Sequence, residues 1–124
     1  MTGWTMSEIL RGDVWLFDPD PIKGREIGKK LRPAIVISND LFNNGPSGLL
    51  IVIPLTTKDK KIPCHIALHP KDGGVKELCF AMCEQIRCIS KERLITRWGH
   101  IKNPNVLRQL AEWLATLLSI DFPL

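Results

Sequence analysis

Two short apolar runs, each half β-branched, limit the folds open to this chain more than any other feature of its sequence. The runs are Pro33–Ser38 and Leu49–Pro54. Each is shorter than a typical helix, and its continuous apolar character together with its β-branching is typical of a buried strand. Both runs are therefore predicted to be core strands.

Weaker signals predict the other strands. The segment Asp13–Phe17 is rich in β-forming residues and lies between Gly12 and a turn that contains two Asp-Pro pairs. Further strands are expected at Cys64–Leu68 and Leu78–Ile89, and a short helical turn is expected between residues 39 and 48. Strands this short, separated by turns, favour a mostly antiparallel sheet.

The pattern changes to a helical period near the end of the chain. Apolar residues recur at helical spacing from Val106 to Leu118, and they follow Asn103 and Pro104, which suit an N-cap and a first helical position. An amphipathic C-terminal helix is predicted over residues 104–120. The fold class is therefore α+β, with short antiparallel strands and one terminal helix packed on the sheet.

The totals indicate one globular domain. The chain has 124 residues, of which 44% are hydrophobic and 24% are charged, values that are ordinary for a folded domain. No repeat or linker divides it, so residues 1–124 are predicted to form one domain with an N-terminal tail at 1–10. No apolar run reaches the roughly 18 residues of a membrane span, and a membrane partner is not expected.

The cysteines and the net charge bear on location and partners. The four cysteines form no CxxC pair and have no disulfide-scaffold density, which favours a reducing cytoplasm. Their spacing relative to His65 and His69 fits no zinc pattern, so no metal site is predicted. A formal net charge of +4 permits a polyanionic partner but does not require one.

The loop after the first strand is the first candidate for function. Residues 22–31 contain two glycines and no apolar periodicity, which indicates an exposed loop. Its four cations are Lys23, Arg25, Lys29 and Lys30. Such a cluster either neutralises phosphates or only keeps the surface soluble, and the charges alone do not decide between the two.

An ordered series of short motifs resembles the MazF/PemK family of toxin ribonucleases. The series runs from Arg11 to the final helix. Its members are Arg11–Trp15, Asp18–Pro19, Lys23–Glu26, Arg32–Ser38, Pro54–Thr57 and Glu84–Arg87. The resemblance implies a small SH3-like barrel of the MazF/CcdB toxin type, paired as a homodimer. It also implies metal-independent and cofactor-independent cleavage of single-stranded RNA, which leaves a cyclic phosphate and a 5′-hydroxyl, and inhibition by a cognate antitoxin.

Three residues are the candidates for catalysis. Arg32 stands where the basic loop meets a strand, and a guanidinium there can donate paired hydrogen bonds to a phosphate. Thr56 ends a strand, where its hydroxyl can point into a groove. The resemblance assigns both to the scissile phosphate. Glu26, among the loop cations, is the first candidate for the general base, with Glu84 and Arg32 itself as alternatives.

The remaining candidates are expected to bind the RNA chain rather than to cut it. They come from the basic loop, from the end of the Thr-Thr strand and from the Glu-Gln-x-Arg strand. They are Lys23, Arg25, Lys29, Lys30, Thr57, Glu84, Gln85 and Arg87. Thr57 is expected to face away from Thr56, because neighbouring strand residues point to opposite faces.

Two other functions use a similar fold. A CcdB-like toxin would inhibit gyrase without catalysis, but toxins of that type resemble one another in a tryptophan near the C-terminus, and here Trp113 lies inside the predicted helix. A non-catalytic SH3-like interaction module would not need Arg32, Thr56 and an acidic residue together. Both remain alternatives to the ribonuclease.

Overall fold

The two apolar runs form neighbouring strands at the centre of one antiparallel sheet. The structure, a computed structural model, describes residues 8–19 and 31–121. Its elements in chain order are β1 (Asp13–Phe17), β2 (Arg32–Val36), α1 (Asp40–Asn43), β3 (Leu49–Thr56), β4 (His65–Leu68), β5 (Cys79–Met82), β6 (Arg87–Ser90), β7 (Leu94–His100) and α2 (Pro104–Leu117).

Strand β3 organises the sheet because it is long enough to pair with three partners. The strand order is β4-β5-β3-β2-β1-β7, and β6 pairs with β3 beside this path. One edge of β3 pairs with β2, with Ala34 opposite Pro54. The other edge pairs first with β6 and then, at Leu55 and Thr56, with β5. The α+β class with an antiparallel sheet and a C-terminal helix is confirmed. The expected barrel is not closed, because no ladder joins β4 to β7 within residues 8–19 and 31–121.

Each face of the sheet has its own core, as strand alternation requires. One cluster includes Val14, Ile35 and Ile53 together with Val106 and Leu110 of α2. The opposite cluster contains Phe17, Ala34, Val36, Leu50, Val52 and Ile89. Complete burial of one such aliphatic side chain contributes about 1.5–3 kcal/mol. These two cores hold the ends of β2 and β3 in place, and that is where the candidate site lies.

The structure corrects several predicted boundaries. Strand β7 was not predicted, and it pairs with β1 along the edge of the sheet. The predicted strand 78–89 is two strands, separated by a 3-10 turn at Cys83–Gln85. The last helix ends at Leu117 rather than at residue 120. Within the predicted tail, Ile9 is buried, and its N–H donates to Asn44 Oδ1 at 3.0 Å.

A buried carboxylate connects the turn before β5 to the start of α2. Asp72 accepts hydrogen bonds from Asn103 Nδ2 and from the His69 N–H, each at 2.9 Å. The bond from Asn103, followed by that from the His69 backbone, lowers the pKa of Asp72. Asn103 also caps α2, since its side chain accepts from the Asn105 N–H.

Among the described residues, no helix is long and apolar enough to span a membrane.

Candidate active site

Arg32 and Thr56 lie side by side because they stand at matching ends of two paired strands. Arg32 begins β2 and Thr56 ends β3. The antiparallel ladder ends with Ala34 opposite Pro54, and Arg32 and Thr56, each two residues beyond this pair, line the same two cavities. The structure therefore brings together the guanidinium and the hydroxyl that the sequence singled out.

Two adjacent cavities share this pair of side chains. The first, of about 260 Å³, is lined by Phe17, Pro19, Arg32, Pro54, Thr56, Lys60, Met82, Gln85 and Arg87. The second, of about 430 Å³, is lined by Leu31, Arg32, Pro33, Leu55, Thr56, Thr57 and Lys58. In both cavities the charged lining residues are cations. A phosphate group suits such a surface.

Arg32 and Thr56 both have hydrogen-bond donors that no described residue uses. Thr56 Oγ1 accepts from the Lys58 N–H at 3.2 Å, which leaves the hydroxyl proton free to donate outward. Arg32 is exposed, and in the described part of the chain its guanidinium has no hydrogen bond or ion pair. Donors that are already positioned and not yet engaged can stabilise charge that develops on a phosphate.

Arg87 and Phe17 form one wall of the smaller cavity. The Arg87 guanidinium carbon lies 5.9 Å from the centre of the Phe17 ring, within cation–π range. Phe17 itself is only 1% exposed and belongs to the core. The Arg87 side chain, which is predicted to contact a phosphate, is therefore held in place by Phe17. Phe17 forms part of the cavity wall and is too buried to stack on a base.

Glu84 and Gln85 are neighbours in sequence but have different surroundings. Gln85 lines the cavity with Arg32 and Thr56, and Glu84 lines neither cavity. The Glu84 carboxylate instead lies 2.9 Å from His65 Nε2 and 3.4 Å from Cys64 Sγ. Burial raises the pKa of Glu84, but the hydrogen bonds from His65, from the Glu84 backbone N–H and from Cys64 outweigh it, so that the pKa is lowered overall. Glu84 is thus an ionised acceptor beside the cavity.

The other predicted residues have different outcomes. Lys23, Arg25, Glu26, Lys29 and Lys30 lie outside the described residues. Thr57 was expected to face away from Thr56. That orientation stays a prediction; β3 ends at Thr56, and both threonines contribute to the lining of the larger cavity.

Sequence reasoning missed Lys60. This residue lines the cavity of Arg32 and Thr56, although the loop that carries it follows β3 rather than β1. The only signal for it was the charged run Lys58–Lys61 directly after the Thr-Thr pair. That run resembles any solvated turn until the path of the chain is known.

Within residues 8–19 and 31–121, no group of three or more His, Cys, Asp or Glu side chains could hold a metal ion.

Comparisons with known proteins identify the family of the chain. A family model described as "PemK-like, MazF-like toxin of type II toxin-antitoxin system" matches residues 10–118. Endoribonuclease MazF9 of Mycobacterium tuberculosis is 36% identical over 115 residues, which are 89% of this chain and 96% of that protein. Endoribonuclease EndoA of Bacillus subtilis is 31% identical over 115 residues, which are 92% of this chain and 98% of that protein.

Solved structures show the same fold. A MazE-MazF structure from Deinococcus radiodurans has a TM-score of 0.74 at 24% identity and covers 92% of this chain and 98% of its own. A mycobacterial endoribonuclease in complex with its cognate antitoxin has a TM-score of 0.72 at 24% identity and covers 95% of this chain and 100% of its own. The family model, the two sequence relatives and the shared fold agree with the motif series, and this chain belongs to the PemK-like, MazF-like toxins of type II toxin–antitoxin systems.

Proposed function

We propose that this toxin is a sequence-selective endoribonuclease that cuts single-stranded RNA without a metal ion. The observation that carries the proposal is the pairing of Arg32 with Thr56 at the edge of cavities whose charged lining residues are cations. Two sequence relatives of nearly the same length are named endoribonucleases, which supports the same activity here. In this mechanism the 2′-hydroxyl attacks the neighbouring phosphate, and the products are a cyclic phosphate and a 5′-hydroxyl.

Arg32 and Thr56 would act on the phosphate. As the 2′-oxygen attacks, negative charge grows on the non-bridging phosphate oxygens. The Arg32 guanidinium can donate two hydrogen bonds to these oxygens and neutralise part of the charge. Thr56 can add a third bond, because its proton is free while Lys58 occupies one of its lone pairs. Loss of one donor of this kind typically costs roughly 2.7–4 kcal/mol of transition-state stabilisation.

Glu26 is the proposed general base. The carboxylate of Glu84, its main competitor, is engaged by Cys64 and His65 and lines neither cavity. In the sequence, Glu26 lies among four cations, which favour its ionised form. A base must be within reach of the 2′-hydroxyl, and Glu26 precedes Arg32 by only six positions in the sequence. Arg32 remains the alternative that could shuttle the proton.

The test uses a diverse pool of single-stranded RNA in the presence of a chelator. We expect the purified protein to cut at a short motif and to leave cyclic phosphate and 5′-hydroxyl ends. In the same assay, Glu26→Gln should slow cleavage strongly, whereas Glu84→Gln should still cut. Binding of RNA without any cleavage would instead identify a non-catalytic interaction module, and a strict requirement for a divalent metal would contradict the proposed chemistry.

Lys60 is proposed to hold a phosphate of the bound RNA. We expect Lys60→Ala to weaken RNA binding and to reduce the slope of log affinity against log salt by about 1. Lys61→Ala is the matched control, because Lys61 is 85% exposed, lies 3.5 Å from Asp59 and is not in the cavity lining. The measurement is a salt titration with an RNA that is 2′-O-methylated at the attacking position. Equal losses for both variants would place Lys60 in the general surface charge.

The proposal includes three further assignments. The chain would also bind a cognate antitoxin, as the mycobacterial endoribonuclease does, and a segment of that antitoxin would occupy the cavities. If so, saturating antitoxin displaces RNA.

Exposed apolar residues such as Leu41 and Ile95 fit a homodimer, which a mass of only 14.0 kDa at micromolar concentration would contradict. A cytoplasmic location is also proposed; the four free cysteines support it, and cell fractionation tests it.

A further inference from the structure

A hydrogen-bonded group beside the cavity joins the start of β4 to the 3-10 turn after β5. Its members are Cys64, His65, Glu84 and Gln85. Cys64 Sγ lies 3.4 Å from Glu84 Oε1, and His65 Nε2 lies 2.9 Å from Glu84 Oε2. Gln85 Nε2 is 3.5 Å from the same Oε2. The proposed cleavage chemistry uses none of these contacts.

His65 is too deeply buried to contact RNA. Its side chain is 2% exposed, and its backbone pairs with Met82 in the β4–β5 ladder. Its Nδ1 is buried and has no hydrogen-bond partner among the described residues. Because an ionised carboxylate can only accept, the proton that joins the two side chains is on His65 Nε2. Any effect of His65 on RNA must therefore pass through Glu84.

Cys64 is the second residue that donates a hydrogen bond to the Glu84 carboxylate. Burial, together with the hydrogen bond to Glu84 and its negative charge, raises the pKa of the Cys64 thiol, which therefore stays protonated and can donate. Two adjacent residues thus donate to the two oxygens of one carboxylate, and this fixes the plane of that carboxylate. About 35% of the Glu84 side chain remains exposed, so its unused lone pairs are accessible to a ligand.

Glu84 in turn sets the direction of the Gln85 amide. A carboxylate offers no proton, so the Gln85 amino group faces Glu84 and the Gln85 carbonyl oxygen is the free end. Gln85 lines the cavity that contains Arg32 and Thr56. The group therefore offers the Gln85 carbonyl oxygen to a base in that cavity, with the partly exposed Glu84 carboxylate next to the cavity. Such a surface suits a base edge with an exocyclic amino group, as in adenine, cytosine or guanine, better than uracil.

We infer that Cys64 and His65 are positioning residues that hold Glu84 and Gln85 in one orientation, and that this orientation selects an amino-bearing base next to the cleaved linkage. The inference rests on the proposed ribonuclease function. It adds to that function a source of sequence preference outside the basic loop. Neither positioning residue needs to touch the RNA.

Four variants test it. Cys64→Ala removes a donor to Glu84, and Cys64→Ser keeps one. Cys79→Ala is the control for the loss of a buried thiol, because Cys79 lies in the same core cluster while its Sγ contacts the Glu77 carbonyl and not Glu84. His65→Asn shortens the side chain and withdraws its donor from Glu84. Urea unfolding shows which variants are folded, and the two Cys64 variants decide the question if His65→Asn is not.

The readout is the ratio of kcat/KM for two RNAs that differ only by an amino-bearing base or uracil at the preferred position. We expect Cys64→Ala and His65→Asn to lower this ratio by about tenfold, within the range for loss of one base contact. Cleavage of the uracil RNA should change less than about threefold. Cys64→Ser and Cys79→Ala should keep the ratio of the wild type.

The outcomes separate the two proposals. If the wild type cuts and the Cys64→Ala and His65→Asn variants keep its base preference, the positioning role is wrong while the ribonuclease stands. If Cys79→Ala loses the preference as well, general loosening of the core is responsible and the positioning role is again wrong. If the wild type cuts no RNA, the proposed function fails and this inference fails with it.

Discussion

Replacing Arg32 by alanine is expected to lower the rate of RNA cleavage by at least about 100-fold, as the loss of a phosphate-stabilising donor does in other enzymes. Arg32 is exposed and has no hydrogen bond or ion pair within the described residues, so its removal leaves the packing of the sheet unchanged. The free energy of unfolding should therefore change by less than about 0.5 kcal/mol. Single-turnover cleavage and urea unfolding measure the two quantities.

Two further variants make this result specific. Arg32→Lys keeps the charge but loses the planar fork of donors, and it should recover only part of the rate. Arg108→Ala is the matched control, because Arg108 is exposed on α2, lies 4.0 Å from Glu112 and lines neither cavity of the site. Cleavage by Arg32→Ala at the rate of the wild type would remove the centre of the proposed mechanism.

The largest effect on stability is expected at Gly73. Its backbone has φ 94° and ψ 157°, a region that is almost restricted to glycine. A Cβ at this position would lie 2.5 Å from the His100 carbonyl oxygen and 2.9 Å from the Lys102 backbone nitrogen. Backbone atoms cannot move aside as a flexible side chain can. The strained backbone and the clash together should lower the free energy of unfolding by about 2–6 kcal/mol in Gly73→Ala.

Gly48 provides a matched control for this effect. It also has a positive φ, of 74°, but a Cβ there would meet nothing within 4 Å. Gly48→Ala should therefore cost only the backbone penalty of about 1–2 kcal/mol. Urea unfolding of both variants gives the difference directly. Similar losses at the two positions would mean that the turn at Gly73 adjusts and that its close approach to β7 is not essential.

The strands that the sequence pattern predicts are those whose own residues favour a buried strand. Pro33–Ser38 and Leu49–Pro54 are continuous apolar runs, and both form central strands. Leu94–His100 forms β7 although its residues are half-buried or exposed and include a glycine. This edge strand exists because β1 offers a pairing partner some 80 residues earlier in the chain. The spacing of apolar residues within a segment gives no information about a pairing partner that lies far away in the sequence.

The family of this chain, the α+β class and the candidates Arg32 and Thr56 all followed from the sequence, because ordered motifs, apolar runs and strand ends are local properties of the chain. Only the tertiary structure decided how the side chains meet. The pairing of β2 with β3 brings Arg32 and Thr56 to the same cavity, and the path of the loop after β3 adds Lys60 to it. The turn after β5 carries Glu84 to His65, nineteen positions earlier. Contacts across such separations depend on strand pairing and loop path, which the order of residues does not display.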